Sequence, residues 1–299
     1  GAPPAAAGRA AAPPWLAFAF CCSVWGSTFL FIRMGNDTLP PVWAAALRLT
    51  LASVLLALLA VAVRAPWPRG RQLEAALGFG FVDFGVSLPL LYWGEHAVSS
   101  GVAAVLYALV PLVTALLAFG FGLEPLRPAQ LVGALLGVGG VALLFTAQLA
   151  GAIPAGALVA VLAAAVTAGL AGVLLKRAPG GHPLATNAIA HAIGALVCLL
   201  ASALLREPHG LPGAAGWTSV LYLTLVGSVG AFVAFAWLLQ RWSVTRASFI
   251  AVVVPAIAVG LGALVRHERL APRTLAGAGV ILAAVVLGLT AGRAARTAD

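Results

Sequence analysis

The residues of this chain that could do chemistry are few, and most stand alone in apolar surroundings. Asp83 lies within F-G-F-V-D-F-G (79–85), at the midpoint of one apolar stretch. An ionisable group at such depth in a bilayer costs about 2.5–3.5 kcal/mol on insertion scales, so it is a functional candidate by default. A carboxyl placed there is suited to proton coupling; the plainer alternative is an Asp satisfied by hydroxyls or backbone beside its glycines. Arg48 sits about five residues from the middle of another stretch, where it either snorkels outward or anchors packing through carbonyls. His191 reads as a packed histidine or as a residue lining a path, and Glu95 and His96, at the outer end of their stretch, as a solvated loop or as a gate or rim. Trp25, Tyr92, Trp93, Tyr107 and Trp237 lie deeper or flank the Pro-broken stretches, and each either stacks an apolar or aromatic ligand or packs against lipid or core. Trp15, Trp43, Trp67, Trp217 and Trp242 fall near the ends of apolar stretches, as interfacial anchors do.

These residues need elements to hold them, and composition says which kind. Of 299 residues, 62% are hydrophobic and 8% charged, with a mean hydropathy of +1.06. A soluble domain carries about 25% charged residues, so the chain reads as an all-α polytopic membrane protein. Breaks at Pro, Gly and charge clusters give ten transmembrane helices near 15–33, 42–63, 73–93, 97–120, 127–147, 153–177, 183–205, 214–240, 244–265 and 272–291. Residues 1–14 read as a disordered tail and 293–299 as a cytoplasmic one. The first apolar stretch has no basic segment close before it and no small-residue cleavage site, so it is expected to be a span and not a cleaved leader. With the N-terminus inside, the inner segments hold eleven Lys and Arg and the outer loops five, which places both termini in the cytoplasm.

Pro89, Pro111 and Pro255 fall inside spans, where each frees a carbonyl four residues upstream and bends the helix. Such groups are tolerated where protein or a wet cavity satisfies them. A substrate cavity is therefore expected among the first, third, fourth, sixth, eighth and ninth spans. The small-residue face G-A-L-L-G (133–137) suits the fifth span, and by symmetry the tenth, to close packing away from it.

The chain also matches itself. At an offset of 144, Pro111 falls on Pro255, Glu124 on Glu268, Pro128 on Pro272, Gly133 on Gly277 and Trp93 on Trp237. At 143, Arg33 falls on Lys176 and Arg48 on His191. E-P-L-R-P (124–128) against E-R-L-A-P (268–272) is the most specific pair. Each copy holds five spans, so the second enters the membrane from the opposite side, giving two inverted five-helix repeats at 15–147 and 153–292. Two halves related in this way can exchange shapes and open a central site to either side in turn.

V-W-G-S-T-F (24–29), A-A-A-L-R-L (44–49), V-P-L-V-T-A-L-L-A (110–118) and E-P-L-R-P-A-Q-L-V-G-A (124–134) resemble the EamA family of the drug/metabolite transporter superfamily. The resemblance implies a secondary carrier in the inner membrane of a bacterium, often an exporter of amino acids or related metabolites. It also implies an Arg at position 48 whatever the substrate, which favours a structural charge there. Hydrophobic drugs are the runner-up substrates.

Other classes fit less well. The phosphate loop G-x-x-x-x-G-K-[ST] does not occur, and the single lysine, Lys176, lies in L-L-K-R-A-P, so transport is not powered by ATP within this chain. An aspartyl enzyme needs two membrane carboxylates, and only Asp83 is deep. His267–Glu268 is followed by R-L-A and not by the second His of a zinc site, and three cysteines give no metal or disulfide framework. Catalytic residues, cofactors and metals are accordingly not expected. The partners expected are a small-molecule substrate and the lipid bilayer, with no nucleic acid, because the basic residues are scattered. The chain is expected to be a monomer or at most a weak dimer.

Overall fold

The computed structural model describes residues 13–97, 100–146, 154–266 and 272–290. The expected tails fall outside them at 1–12 and 293–299, and so does Glu268. Among the described residues there are ten apolar helices, six of them long and apolar enough to cross a membrane and four shorter, and no strand. They are α1 (Pro14–Asn36), α2 (Pro41–Ala62), α3 (Arg71–Ala97), α4 in two pieces (Ser100–Tyr107 and Val110–Gly120) and α5 (Pro128–Leu144). The second set is α6 (Ala155–Lys176), α7 (Pro183–Leu204), α8 (Ala214–Leu239), α9 in two pieces (Val244–Ser248 and Ile250–Arg266) and α10 (Pro272–Thr290). Five of these helices begin on a proline, whose fixed φ suits a first turn and whose missing N–H is not needed there.

Two irregularities repeat. The middle of α3 is a π-helical segment over Gly80–Ser87, and the middle of α8 is another over Leu223–Gly230. They occupy equivalent places at the 143-residue offset. In α3 the Leu88 N–H bonds the Asp83 carbonyl, five residues back, one residue before the N–H that Pro89 lacks. The second repeat has Phe232 in place of that proline, and its π segment instead carries Gly227 and Gly230.

The breaks in α4 and α9 follow the prolines less evenly. Pro111 lies at the start of the second piece of α4 and cannot donate to Tyr107, where the first piece ends. Pro255 lies inside the second piece of α9, whose break falls earlier, at Phe249. The bend expected at Pro255 is thus displaced by six residues.

Packing separates a scaffold from a centre. α2 lies along α7, and α5 along α10. At the second pair a Cβ on Gly277 would stand 2.8 Å from the Gly140 carbonyl oxygen and 2.9 Å from the Leu144 nitrogen, so the two backbones touch where only glycine fits. Helix ends are tied across the repeats by two carboxylates. Glu207, just after α7, accepts from the N–H groups of Val42 and Trp43, opening α2. Glu124, between α4 and α5, accepts from Val244 and Thr245, opening α9. Each satisfies donors that a helix N-terminus leaves free.

Candidate functional site

The bent helices converge on a cavity of about 160 Å³. Its wall draws on α1, α3, α4, α6, α8 and α9, the six spans expected to form it, and α2 adds Arg48. Most of the surface is apolar, with the rings of Trp25, Phe79, Phe84, Phe232 and Phe235 among it. Trp25 is fixed by an indole N–H to the Gly227 carbonyl at 3.4 Å, and its ring lies 5.0 Å from Phe232 and 5.4 Å from Phe235. A carbonyl of the second π segment thus holds a ring of the first repeat.

Two charged residues share this wall. Arg48 is 3% exposed. Its Nε donates to Ser228 Oγ at 2.8 Å and its Nη1 to Tyr92 Oη at 3.2 Å. Ser228 belongs to the π segment of α8, so the guanidinium of the first repeat is oriented by the second. Asp83, in the π segment of α3, lines the cavity half-buried. No hydrogen bond or ion pair links the two residues, which interact through space.

Hydroxyls complete the wall. Ser87 donates to the Ala164 carbonyl at 2.7 Å, so at its 3.1 Å contact with Tyr107 it must accept, and the Tyr107 hydroxyl donates. Thr114 is 1% exposed, lines the cavity, and its Oγ1 has no hydrogen-bond partner among the described residues. Thr28 and Ser248 also line it, each donating within its own helix to Trp25 and Thr245 carbonyls. Of these, Tyr107 is nominated by the sequence; Ser87 and Ser248 carry no charge or motif there, and Thr28 and Thr114 lie within V-W-G-S-T-F and V-P-L-V-T-A-L-L-A without any sign that they face a cavity.

The candidates read from the sequence therefore divide. Trp25, Asp83, Tyr107 and Pro255 come together in the wall, and Arg48, read as a structural charge, joins them. Tyr92 is buried behind the wall and reaches the site through Arg48. Trp93 and Trp237 are corrected as cavity residues, and His191 takes the packed one of its two readings. Trp93 is 48% exposed, outside the wall. Trp237 lies under the Arg241 guanidinium, 3.7 Å from its ring centroid, also outside it. His191 is packed against Phe84 of α3 and Phe232 of α8, with Nδ1 at 2.9 Å from the Asn187 carbonyl, on α7, which contributes nothing to the cavity wall. Pro89 and Pro111, read as bend positions, lie just after the π segment of α3 and at the break of α4, and neither lines the site.

The model of the EamA-like transporter family matches this chain twice, over residues 13–146 and 155–290. The chain belongs to the EamA-like transporter family. EamA-like relatives cover most of it. The Escherichia coli (strain K12) protein named "Uncharacterized inner membrane transporter YedA" is 31% identical over 266 residues, 88% of this chain and 86% of its own. The "Probable terminal-alkyne amino-acid exporter" of Streptantibioticus cattleyicolor is 31% identical over 269 residues, 88% of this chain and 89% of its own. A solved crystal structure superposes with a TM-score of 0.76 at 20% identity, covering 94% of this chain and 98% of the other, which shows a shared fold. This EamA-like protein is a membrane transporter, not an enzyme, built as two inverted five-helix repeats.

Proposed function

We propose that the protein is a secondary carrier exporting small metabolites, amino acids or related compounds first, by alternating access across a bacterial inner membrane with both termini cytoplasmic. The observation that carries this reading is one small cavity walled by both repeats. A cavity of about 150 Å³ accepts a molecule the size of benzene, so the 160 Å³ here suits a small solute. Rocking of the halves 15–147 and 153–292 about it would expose it to each side in turn. The relative named as an amino-acid exporter supports that substrate class.

Proton coupling through Asp83 belongs to the same proposal. Arg48 of α2 and Tyr107 of α4 interact with it electrostatically, so its protonation would alter the charge balance of the wall. Counterflow of labelled amino acids in proteoliposomes, with and without a pH gradient, tests both parts. Exchange is expected for at least one amino acid, accelerated by the gradient in wild type and indifferent to it in Asp83→Asn. No exchange for any amino acid would remove the substrate class, and an unchanged gradient response in Asp83→Asn would remove the coupling role.

A further inference from the structure

A guanidinium has five N–H donors. Arg48 commits one through Nε to Ser228 and one through Nη1 to Tyr92. Among the described residues its Nη2 has no acceptor, and Arg48 lines the cavity. Burying a guanidinium without a carboxylate partner is unfavourable unless something else supplies the anion. The Asp83 carboxylate is in the same position with the opposite sign: it lines the cavity and accepts no hydrogen bond from the described residues. A third polar group, Thr114 Oγ1, is fully buried, lines the same cavity and is unpartnered. A wall that leaves three polar groups of complementary character unsatisfied among aromatic rings is built for a ligand carrying both charges and an apolar remainder.

We propose that Arg48 and Asp83 are the two poles of a zwitterion site, Arg48 taking the carboxylate and Asp83 the ammonium of one substrate molecule, with Thr114 as a further contact. This rests on the carrier reading above and assigns Arg48 to binding, not to structure. Ser228 and Tyr92 then serve as positioning residues: one from each repeat holds the guanidinium so that its free edge faces the cavity. The aromatic wall takes the side chain.

The test uses three probes of one skeleton: L-valine, L-valinamide, which lacks the carboxylate, and 3-methylbutanoate, which lacks the ammonium. Each is measured by thermal stabilisation of the purified full chain in detergent and by competition against L-valine counterflow in proteoliposomes. Wild type is expected to favour L-valine over both analogues by about 10- to 100-fold, the scale of a charge-assisted hydrogen bond. Arg48→Gln should lose the preference over L-valinamide and keep that over 3-methylbutanoate; Asp83→Asn should do the reverse. Thr114→Val should weaken L-valine without changing either preference. Arg48→Lys, which keeps the charge, covers the case in which Arg48→Gln does not fold, and should retain the preference over L-valinamide. Folded variants that discriminate as wild type does would overturn the zwitterion site and leave the carrier standing. Discrimination in binding without counterflow would sink the carrier and leave the site. If L-valine neither stabilised wild type nor was transported by it, the zwitterion site would be overturned.

Discussion

Gly80→Ala should lower the thermal midpoint of the purified protein and abolish most transport, although it adds a single methyl group. A Cβ at position 80 would stand 2.6 Å from the Cα of Ala190 and 2.9 Å from its carbonyl carbon, with the carbonyl oxygen nearer still. These are backbone atoms of α7, which cannot rotate out of the way, so α3 must retreat from α7 along its length. Overpacking of a tight interior typically costs about 1–3 kcal/mol, and a clash with backbone belongs at the upper end. The displacement also reaches function, because Gly80 opens the π segment that carries Asp83 and Ser87 into the cavity wall. Gly139→Ala is the control. Nothing lies within 4 Å of a Cβ there, and replacing a helical glycine gains about 0.5–1 kcal/mol. The measurement is thermal unfolding in detergent beside counterflow for both variants. Equal midpoints for Gly80→Ala and wild type would mean that α3 and α7 do not meet as closely as described.

What could be read from the sequence, and what could not, follows the nature of each signal. The ten helices were legible because apolar length and proline-initiated turns are local, and the repeat was legible because Pro, Glu and Trp match in register. Asp83, Trp25 and Tyr107 could be nominated because a lone carboxyl or a deep polar ring is costly wherever the helix turns. Trp93 and Trp237 misled for a physical reason: register gives equivalent positions, not the face they present, and both lipid and cavity accept an aromatic ring. Arg48 could be read from its own segment only as a structural charge. Its orientation depends on Ser228, 180 residues away in the π segment of the opposite repeat, and nothing local to A-A-A-L-R-L carries that information. His191 shows that an equivalent position need not be an equivalent role, since α7 presents it to Phe84 and Phe232 behind the wall. Thr114 could not be found at all, because one threonine among leucines is ordinary until a cavity is seen beside it.

The second large effect concerns the end of the molecule where α9 begins. Its first three N–H groups are all satisfied: Val244 and Thr245 by the Glu124 carboxylate, and Arg246 by Ser243 Oγ at 3.2 Å. Glu124 belongs to the first repeat and α9 to the second, so this cap is also a latch across the halves. Lys176 strengthens the same end, donating to the Leu239 and Trp242 carbonyls where α8 finishes and interacting with Glu124 through space. The first piece of α9 contributes Val244, Ala247 and Ser248 to the cavity wall, so releasing the latch frees the wall itself. Removing a capping side chain typically costs about 0.5–2 kcal/mol. Taken wholly from the closed arrangement, that shifts the balance toward the arrangement open at this end by about 2- to 30-fold. With a cysteine placed at Ser248, a water-soluble maleimide should label Glu124→Ala faster than its parent by that factor, against the slow background of the buried Cys21, Cys22 and Cys198. Glu207→Ala separates a latch from general loosening. Glu207 caps α2 at the opposite membrane face and sits where α2 and α7 are packed along each other. Its loss should lower the thermal midpoint without raising labelling at position 248. If both variants accelerated labelling equally, Glu124 would be a stabilising cap and nothing more; if only Glu124→Ala did, the opening that exposes the cavity begins with the release of α9 from the first repeat.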